Sequence, residues 1–148
     1  MPNLYIVIGE AETRKSSCIR ALSGVFRRKR YTIRTVNDGD IDVYIPGTSS
    51  LQERGISPDD FMDEVKRDGS QNVLMSLWIS ATGTQPAGHT YIQRFIQAGW
   101  NIERVVVLDE KDPIDLPQGC PNQQLIPGSR NLPANEIASQ IRQSWQWQ

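Results

Sequence analysis

Three apolar runs constrain the fold of this chain more than any other feature of its sequence. Residues 4–8, 73–79 and 105–108 are mostly β-branched, aromatic or otherwise apolar, and polar positions do not alternate with apolar ones. Strands buried on both faces have this composition, which is typical of parallel sheets. Helical patterns separate the runs, so we predict an α/β fold in which the three runs form adjacent parallel strands.

Helix signals lie between and after these runs. Apolar residues at three- and four-residue spacing predict a first helix over residues 15–29. The second helix is the best marked, with Ser57 as its N-cap and Gly69 directly after its end. Two further helices are predicted over residues 90–98 and from Pro133 onward.

The remaining strands are marked less sharply. Residues 31–45 alternate around an Asp-Gly pair, which is a hairpin signal, and form either one broken strand or two short ones. Residues 124–126 are typical of a short edge strand. We therefore predict one three-layer α/β/α domain over residues 1–148, with a mainly parallel five-stranded sheet. Ligands of such sheets bind beyond the carboxyl ends of the strands, so the loops there should share one rim.

Composition bears on partners and compartment. The 148 residues have a formal net charge of −1, and the dense cationic run is residues 27–30. Cations at the end of a predicted helix complement its dipole, and four of them make a small footprint for phosphate backbones, so we do not expect nucleic acid as a partner. The two cysteines form no paired motif, and we see no secretory signal or membrane-spanning run. We expect a cytoplasmic protein without a membrane partner, and homo-oligomerisation is left open.

The stretch with the most chemical content joins the first apolar run to the first helix. Gly9, Lys15 and Ser16 have the spacing of the first glycine, the lysine and the hydroxyl residue in Gly-x-x-x-x-Gly-Lys-Ser/Thr, while Arg14 stands at the second glycine. The order of strand, loop and helix around them is also the expected one. This stretch resembles the Walker A loop of P-loop nucleoside triphosphatases, and the resemblance covers roughly a tenth of the chain.

The resemblance implies a P-loop fold and a phosphate-binding loop. Backbone N–H groups at a helix N-terminus form a partly positive nest for phosphate oxygens. In such a loop Lys15 and Arg14 would be the catalytic residues, and the Ser16 hydroxyl would hold Mg²⁺. Arg14 either narrows the nest or binds phosphate through its guanidinium group. The phosphate-binding residues that the resemblance implies are Gly9, Glu10, Ala11, Glu12, Thr13, Arg14, Lys15, Ser16 and Ser17.

A second resemblance lies at the end of the third apolar run. The run is followed by Asp109 and Glu110, which is similar to a Walker B sequence and would make Asp109 a second Mg²⁺ ligand. In many P-loop folds, however, the metal carboxylate follows the strand after the second helix, where this chain has Ser80. An Asp-Glu pair is also typical of a solvated strand end. Both interpretations of Asp109 stay open from the sequence.

Two main function classes follow. The leading hypothesis is a nucleotide (ATP or GTP) or phosphate-binding protein that uses Mg²⁺ and acts as a hydrolase or phosphotransferase. The alternative is a degenerate P-loop domain that serves as a non-catalytic binding or assembly module. Lys15 and Ser16 favour the first class, whereas Arg14 and Ser80 favour the second. A nucleic-acid-associated role would rest on residues 27–30, and the near-neutral net charge disfavours it.

Overall fold

The computed structural model describes residues 2–10, 12–24, 29–37, 39–81 and 83–148. Strands and helices alternate over most of these ranges. The elements are β1 (Asn3–Gly9), α1 (Lys15–Ser23), β2 (Lys29–Arg34), β3 (Asp40–Ile45), α2 (Pro58–Asp68), β4 (Asn72–Trp78), α3 (Gly88–Gln97), β5 (Asn101–Leu108), β6 (Gln123–Ile126) and α4 (Ala134–Trp145). Within the described part of the chain, no helix is long and apolar enough to cross a membrane.

The strands form one sheet in the order β2-β3-β4-β1-β5-β6. The three apolar runs are its centre, because β1 lies between β4 and β5 and pairs with both in parallel. Ile6, in the middle of β1, is opposite Met75 on one side and Val105 on the other. The prediction of three adjacent parallel strands is therefore confirmed, and the short strand β6 adds a further parallel pairing at the β5 edge.

The predicted strand count of five is wrong, since the sheet has six strands. Residues 31–45 provide two of them: β2 and β3 pair antiparallel, with Arg34 opposite Asp40 at the turn. Gly39 precedes β3 with a φ of 69°, a conformation that a glycine adopts without steric penalty. Asp38, the other residue of the hairpin signal, lies outside the described residues. The result is a mixed sheet with β2 as its antiparallel edge.

The two faces of the sheet pack against different pairs of helices. Ile6 and Ile8 of β1 belong to a buried cluster with apolar side chains of α2 and α3. Tyr5 and Val7, which alternate with them, belong to a second cluster with apolar side chains of α1 and α4. Because β1 is covered on both sides, its residues from Leu4 to Ile8 are all buried, as the continuous apolar run predicts.

Helix α1 is shorter than its predicted range. It ends at Ser23, and Gly24 caps it in the left-handed conformation, with φ 73° and its N–H bonded to the carbonyl oxygen of Arg20. The prediction of a helix to residue 29 is wrong because the apolar spacing continues beyond the residue that ends the helix. Lys29 already belongs to β2, while residues 25–28 lie outside the described part of the chain.

The cationic run, residues 27–30, was expected to cap the end of α1. The side chain of Arg30, which the structure describes, caps a different helix. Arg30 donates from Nε to the Asp68 carboxylate at 3.2 Å, and from its guanidinium group to the Asp68 carbonyl oxygen. Asp68 is the last residue of α2. The cation therefore lies at a helix C-terminus, where it complements the dipole, but the helix is brought there by the tertiary fold.

Candidate functional site

The loops that follow the parallel strands meet at one edge of the sheet, as predicted. Glu10, directly after β1, accepts hydrogen bonds from the backbone N–H (2.8 Å) and the hydroxyl (2.7 Å) of Ser80, which follows β4. Ser129, fully buried between β6 and α4, donates to the carbonyl oxygen of Thr13 at 2.9 Å. These bonds fix the 9–17 loop, between β1 and the first turn of α1, to its neighbours on both sides.

The 9–17 loop is tightly folded at its start. The hydroxyl of Thr13, which is almost fully buried, donates to the carbonyl oxygen of Glu10 at 2.8 Å. A Cβ atom at Gly9 would lie 2.5 Å from Thr13 Oγ1 and 3.3 Å from the Leu108 side chain. Glycine is thus required at position 9 because there is no space for a larger residue. Ala11 was also predicted to bind phosphate, and it lies outside the described residues.

Lys15 is the buried cation of this loop. It is the first residue of α1 and only 6% exposed. Its Nζ donates to the carbonyl oxygen of Glu10 and to Thr13 Oγ1 (3.4 Å), and it lies 5.6 Å from the centroid of the Trp78 ring. Both hydrogen-bond acceptors are neutral oxygens, so these bonds orient the ammonium group without neutralising its charge.

Burial makes the charge of Lys15 less favourable than it would be in water. Desolvation lowers the pKa of Lys15 from 10.5 to about 8, the carboxylates of Glu53 and Glu10 oppose this, and the charge of Arg130 lowers the pKa further. The side chain is still mostly protonated at pH 7. The loop therefore holds a positive charge at neutral pH that a nearby anion would stabilise.

Arg14 stands where the P-loop pattern has its second glycine, and it adopts a backbone conformation typical of glycine. It is the N-cap of α1 with φ 80° and ψ 20°, in the left-handed region, and Glu12 also has a positive φ of 62°. A non-glycine residue in this region costs about 1–2 kcal/mol. Such conformations persist where the surrounding structure imposes them, and they cluster at functional sites.

An open cavity of about 480 Å³ lies over the start of α1. This volume falls within the range of about 300–1,000 Å³ that is typical of small-molecule sites. The cavity wall combines three cations with two carboxylates and three hydroxyl groups. The lining residues are Glu12, Thr13, Arg14, Lys15, Ser16, Ser17, Glu53 and Arg130.

The structure thus brings together most of the predicted phosphate-binding residues. Thr13 to Ser17 and Glu12 line the cavity, whereas Glu10 binds Ser80 and the ammonium group of Lys15. Glu53 was not predicted, although it lines the cavity and accepts a hydrogen bond from Trp78 Nε1. It lies in the turn between β3 and α2 and belongs to no motif, so no local sequence signal indicates its place in the site.

Asp109, the second predicted metal ligand, lies at the same edge and contacts an arginine. Its Oδ2 accepts from Arg130 Nε at 2.6 Å, and its own N–H donates to the carbonyl oxygen of Ile126 at 2.8 Å. Among the residues that the structure describes, no three His, Cys, Asp or Glu side chains are grouped so that they could hold a metal ion. Ser16 lies on the cavity wall, half-buried.

Such a site is suited to an anion. It offers the oriented N–H groups of a helix start, a buried ammonium group and two guanidinium groups, all in one cavity. A divalent cation would need most of its ligands from the bound molecule, as Mg²⁺ does when phosphates carry it. The chain itself has no significant match among protein-family models, curated proteins or solved structures.

Proposed function

We propose that this chain binds the phosphate groups of a small molecule, a nucleoside triphosphate above all, in the cavity over the start of α1. We further propose that its fold is a three-layer α/β/α arrangement of P-loop type, with the 9–17 loop as the phosphate-binding loop. The packing of α2 and α3 on one face of the sheet and of α1 and α4 on the other supports this arrangement. The position of the loop after the central strand supports it as well.

The observation that carries the proposal is the buried ammonium group of Lys15. Burial of a cation is unfavourable unless opposite charge or a hydrogen-bond network compensates for it. Here the compensation is partial: the two acceptors are neutral, and the carboxylates of Glu53 and Glu10 oppose the effect of burial but leave the pKa lowered to about 8. A phosphate group in the cavity would supply the missing negative charge. The lysine is oriented in advance by Glu10 and Thr13, which reduces the entropy lost on binding.

Arg14 belongs to the same proposal, as a phosphate ligand. Its exposed side chain lines the cavity, and its backbone already has the left-handed conformation that glycine adopts most readily. The nest therefore does not need glycine at this position in order to form. A guanidinium group suits bidentate contact with phosphate oxygens.

Mg²⁺ enters this proposal as part of the ligand, in the form of a magnesium–triphosphate complex. The Ser16 hydroxyl on the cavity wall is the group that would contact the ion. If the complex is hydrolysed or its phosphoryl group transferred, Lys15 and Arg14 would stabilise the negative charge that develops on the phosphoryl oxygens.

A second candidate function is a binding or assembly module without turnover. The carboxylate expected after β4 is replaced by Ser80, which binds Glu10, and the Asp109 carboxylate is bound to Arg130. The first position therefore has no carboxylate, and the carboxylate at the second position is already bound to an arginine. On this alternative the cavity would bind the phosphate-bearing ligand and keep it intact.

Calorimetric titration with Mg-ATP and Mg-GTP tests the proposal. A charge-assisted contact contributes about 1.5–3 kcal/mol, so Lys15→Ala should weaken binding roughly 10- to 150-fold. Lys66→Ala is the matched control, since Lys66 is an exposed lysine of α2, and it should leave affinity unchanged.

Arg14→Gly should weaken binding if the guanidinium group binds phosphate and strengthen it if the side chain blocks the nest. Absence of binding to wild type and to all three variants would contradict the proposal.

Turnover separates the two candidate functions. Release of inorganic phosphate from saturating Mg-ATP or Mg-GTP should be lost in Lys15→Ala and kept in Lys66→Ala if the chain is a hydrolase. Saturable binding with no phosphate released by wild type would favour the non-catalytic module.

A further inference from the structure

Arg130 and Asp109 form a pair that neither the 9–17 loop nor its motif includes. Arg130 belongs to a short 3₁₀ turn between β6 and α4, whereas Asp109 directly follows β5. The Arg130 Nε donates to Asp109 Oδ2 at 2.6 Å, and Arg130 itself lines the cavity above Lys15. Two loops distant in sequence therefore place one guanidinium group at the edge of the proposed phosphate site.

From this geometry we infer that Arg130 is a second ligand-binding cation and that Asp109 positions it, so that Asp109 serves the site through the arginine and not as a metal ligand. The inference rests on the proposed function, because it names a further contact for the same phosphate-bearing ligand. It changes the chemical role of Asp109, which the motif alone would assign to Mg²⁺.

The guanidinium group has donors available for both partners. A guanidinium carries five N–H donors in a rigid planar fork, and Asp109 accepts the one on Nε. The terminal nitrogens carry the other four, and the two of these that point away from Nε can form parallel bonds to a phosphate. The side chain of Arg130 is 44% exposed, so its charge is accessible from the cavity. Its charge also reaches Lys15, where it adds to the effect of burial in lowering the pKa.

The backbone at both ends of the pair is fixed. Ser129, next to Arg130, is fully buried and donates to the carbonyl oxygen of Thr13 at 2.9 Å, so the turn is attached to the 9–17 loop. Asp109 has a positive φ of 63°, an uncommon conformation for a residue other than glycine, and its N–H bonds to Ile126. Such a conformation persists only where the surrounding structure imposes it, so the backbone that carries the Asp109 carboxylate is held in place.

Asp109→Asn is the decisive variant, because the two roles predict effects of opposite sign. Asparagine adopts the left-handed region readily, so the backbone is retained. A carboxylate near an anion is unfavourable, and its removal should strengthen binding if Asp109 only lies nearby. If Asp109 positions Arg130, the same change should weaken binding several-fold. If Asp109 holds Mg²⁺, the loss should occur with Mg-ATP and vanish with inorganic triphosphate in a chelator.

The experiment is a double-mutant cycle on the full chain, measured by calorimetry with Mg-ATP and with metal-free inorganic triphosphate. We expect Arg130→Ala to weaken binding of both probes roughly 10- to 100-fold, and Arg130→Lys to restore part of that loss. Asp109→Asn should weaken both probes about 5-fold and have no further effect in the Arg130→Ala background. Arg94→Ala is the matched control, because it removes another exposed arginine–aspartate pair, with Asp59, away from the cavity.

Three results would overturn the inference. They are wild-type affinity in Arg130→Ala, unchanged or tighter binding in Asp109→Asn, and a loss of affinity in Asp109→Asn that is seen with Mg-ATP alone. Thermal unfolding of each variant shows whether the native fold is kept. If Lys15→Ala weakens binding 10-fold or more while Arg130→Ala leaves it unchanged, the proposed function stands and only this inference fails. If wild type binds neither probe, both fail together.

Discussion

The N-termini of α1 and α2 are built in opposite ways. Helix α2 satisfies its own start: the Ser57 hydroxyl accepts from the N–H of Asp60 at 3.1 Å, and Asp59 and Asp60 place negative charge in the first turn. Helix α1 has no side-chain cap at its start and no acidic residue in its first turn. Its first residue is Lys15, so this helix adds a cation where α2 adds two anions.

The first turn of α1 thus supplies no negative charge of its own, and the carboxylates near it, Glu12 and Glu53, come from outside the helix. The start of a helix is partly positive and favours anions, whether they come from its own side chains or from a ligand. Helix α3 also begins without a side-chain cap, so an open helix start does not by itself make a site. What distinguishes α1 is the buried Lys15 and the cavity that it shares with Arg14 and Arg130.

The largest effect on ligand affinity is expected from placing an acidic residue in the first turn of α1, as α2 has. Ser17→Asp places a carboxylate in the first turn of α1, on the cavity wall. At about 5 Å and an effective dielectric constant of about 20, repulsion of one phosphate charge amounts to ~3 kcal/mol. Affinity for Mg-ATP should fall roughly 100-fold or more. The same substitution should raise the unfolding free energy by about 0.3–1 kcal/mol through the helix dipole. Calorimetry and urea denaturation measure the two effects, and binding that survives would contradict an anion site at α1.

A smaller effect is expected from pH. An anion stabilises protonated Lys15, so binding raises the pKa above about 8, and affinity is lost as pH rises through that value. Between pH 7.5 and 9.5, where the phosphates of Mg-ATP are fully ionised, affinity for Mg-ATP should fall roughly 10-fold. Lys15→Arg is the control, since a guanidinium group does not titrate in this range and its profile should be flat. Identical profiles for wild type and Lys15→Arg would exclude Lys15 as the titrating group.

The smallest effect is expected from opening the start of α2. Ser57→Ala removes the hydroxyl cap and should lower the unfolding free energy by about 1 kcal/mol, as measured by urea denaturation. Affinity for Mg-ATP should not change, because Ser57 lies at the helix start that its own side chains compensate. If Ser57→Ala instead lowers the affinity for Mg-ATP and leaves the unfolding free energy unchanged, the ligand binds at the start of α2, which contradicts the roles given to the two helix starts.

Local patterns predict the centre of this fold and much of the candidate site. Three continuous apolar runs are sufficient to place β1, β4 and β5 side by side, and the spacing of Gly9, Lys15 and Ser16 is sufficient to locate the loop. These features depend on residues close together in sequence, whose periodicity and spacing are visible without the fold.

Features that depend on tertiary contacts were not predictable. Glu53 reaches the cavity from a turn without a motif, and Ser80 binds Glu10 across 70 positions of sequence. The end of α1 was missed for a different reason, since apolar spacing continues past Gly24 and periodicity alone does not register a left-handed cap. The extra strand, by contrast, was one of two alternatives that the alternation around Gly39 had left open.

The most direct test of the central claim compares the two helix starts in one experiment. Inorganic triphosphate is titrated into the ¹⁵N-labelled protein, and the backbone amide resonances of Thr13 to Ser17 are followed beside those of Asp59 to Phe61. We expect saturable, single-site shifts at the start of α1 and no saturable shift at the start of α2. Absence of saturable shifts in residues 13–17, or equal shifts at both helix starts, would contradict the proposal that the 9–17 loop binds phosphate.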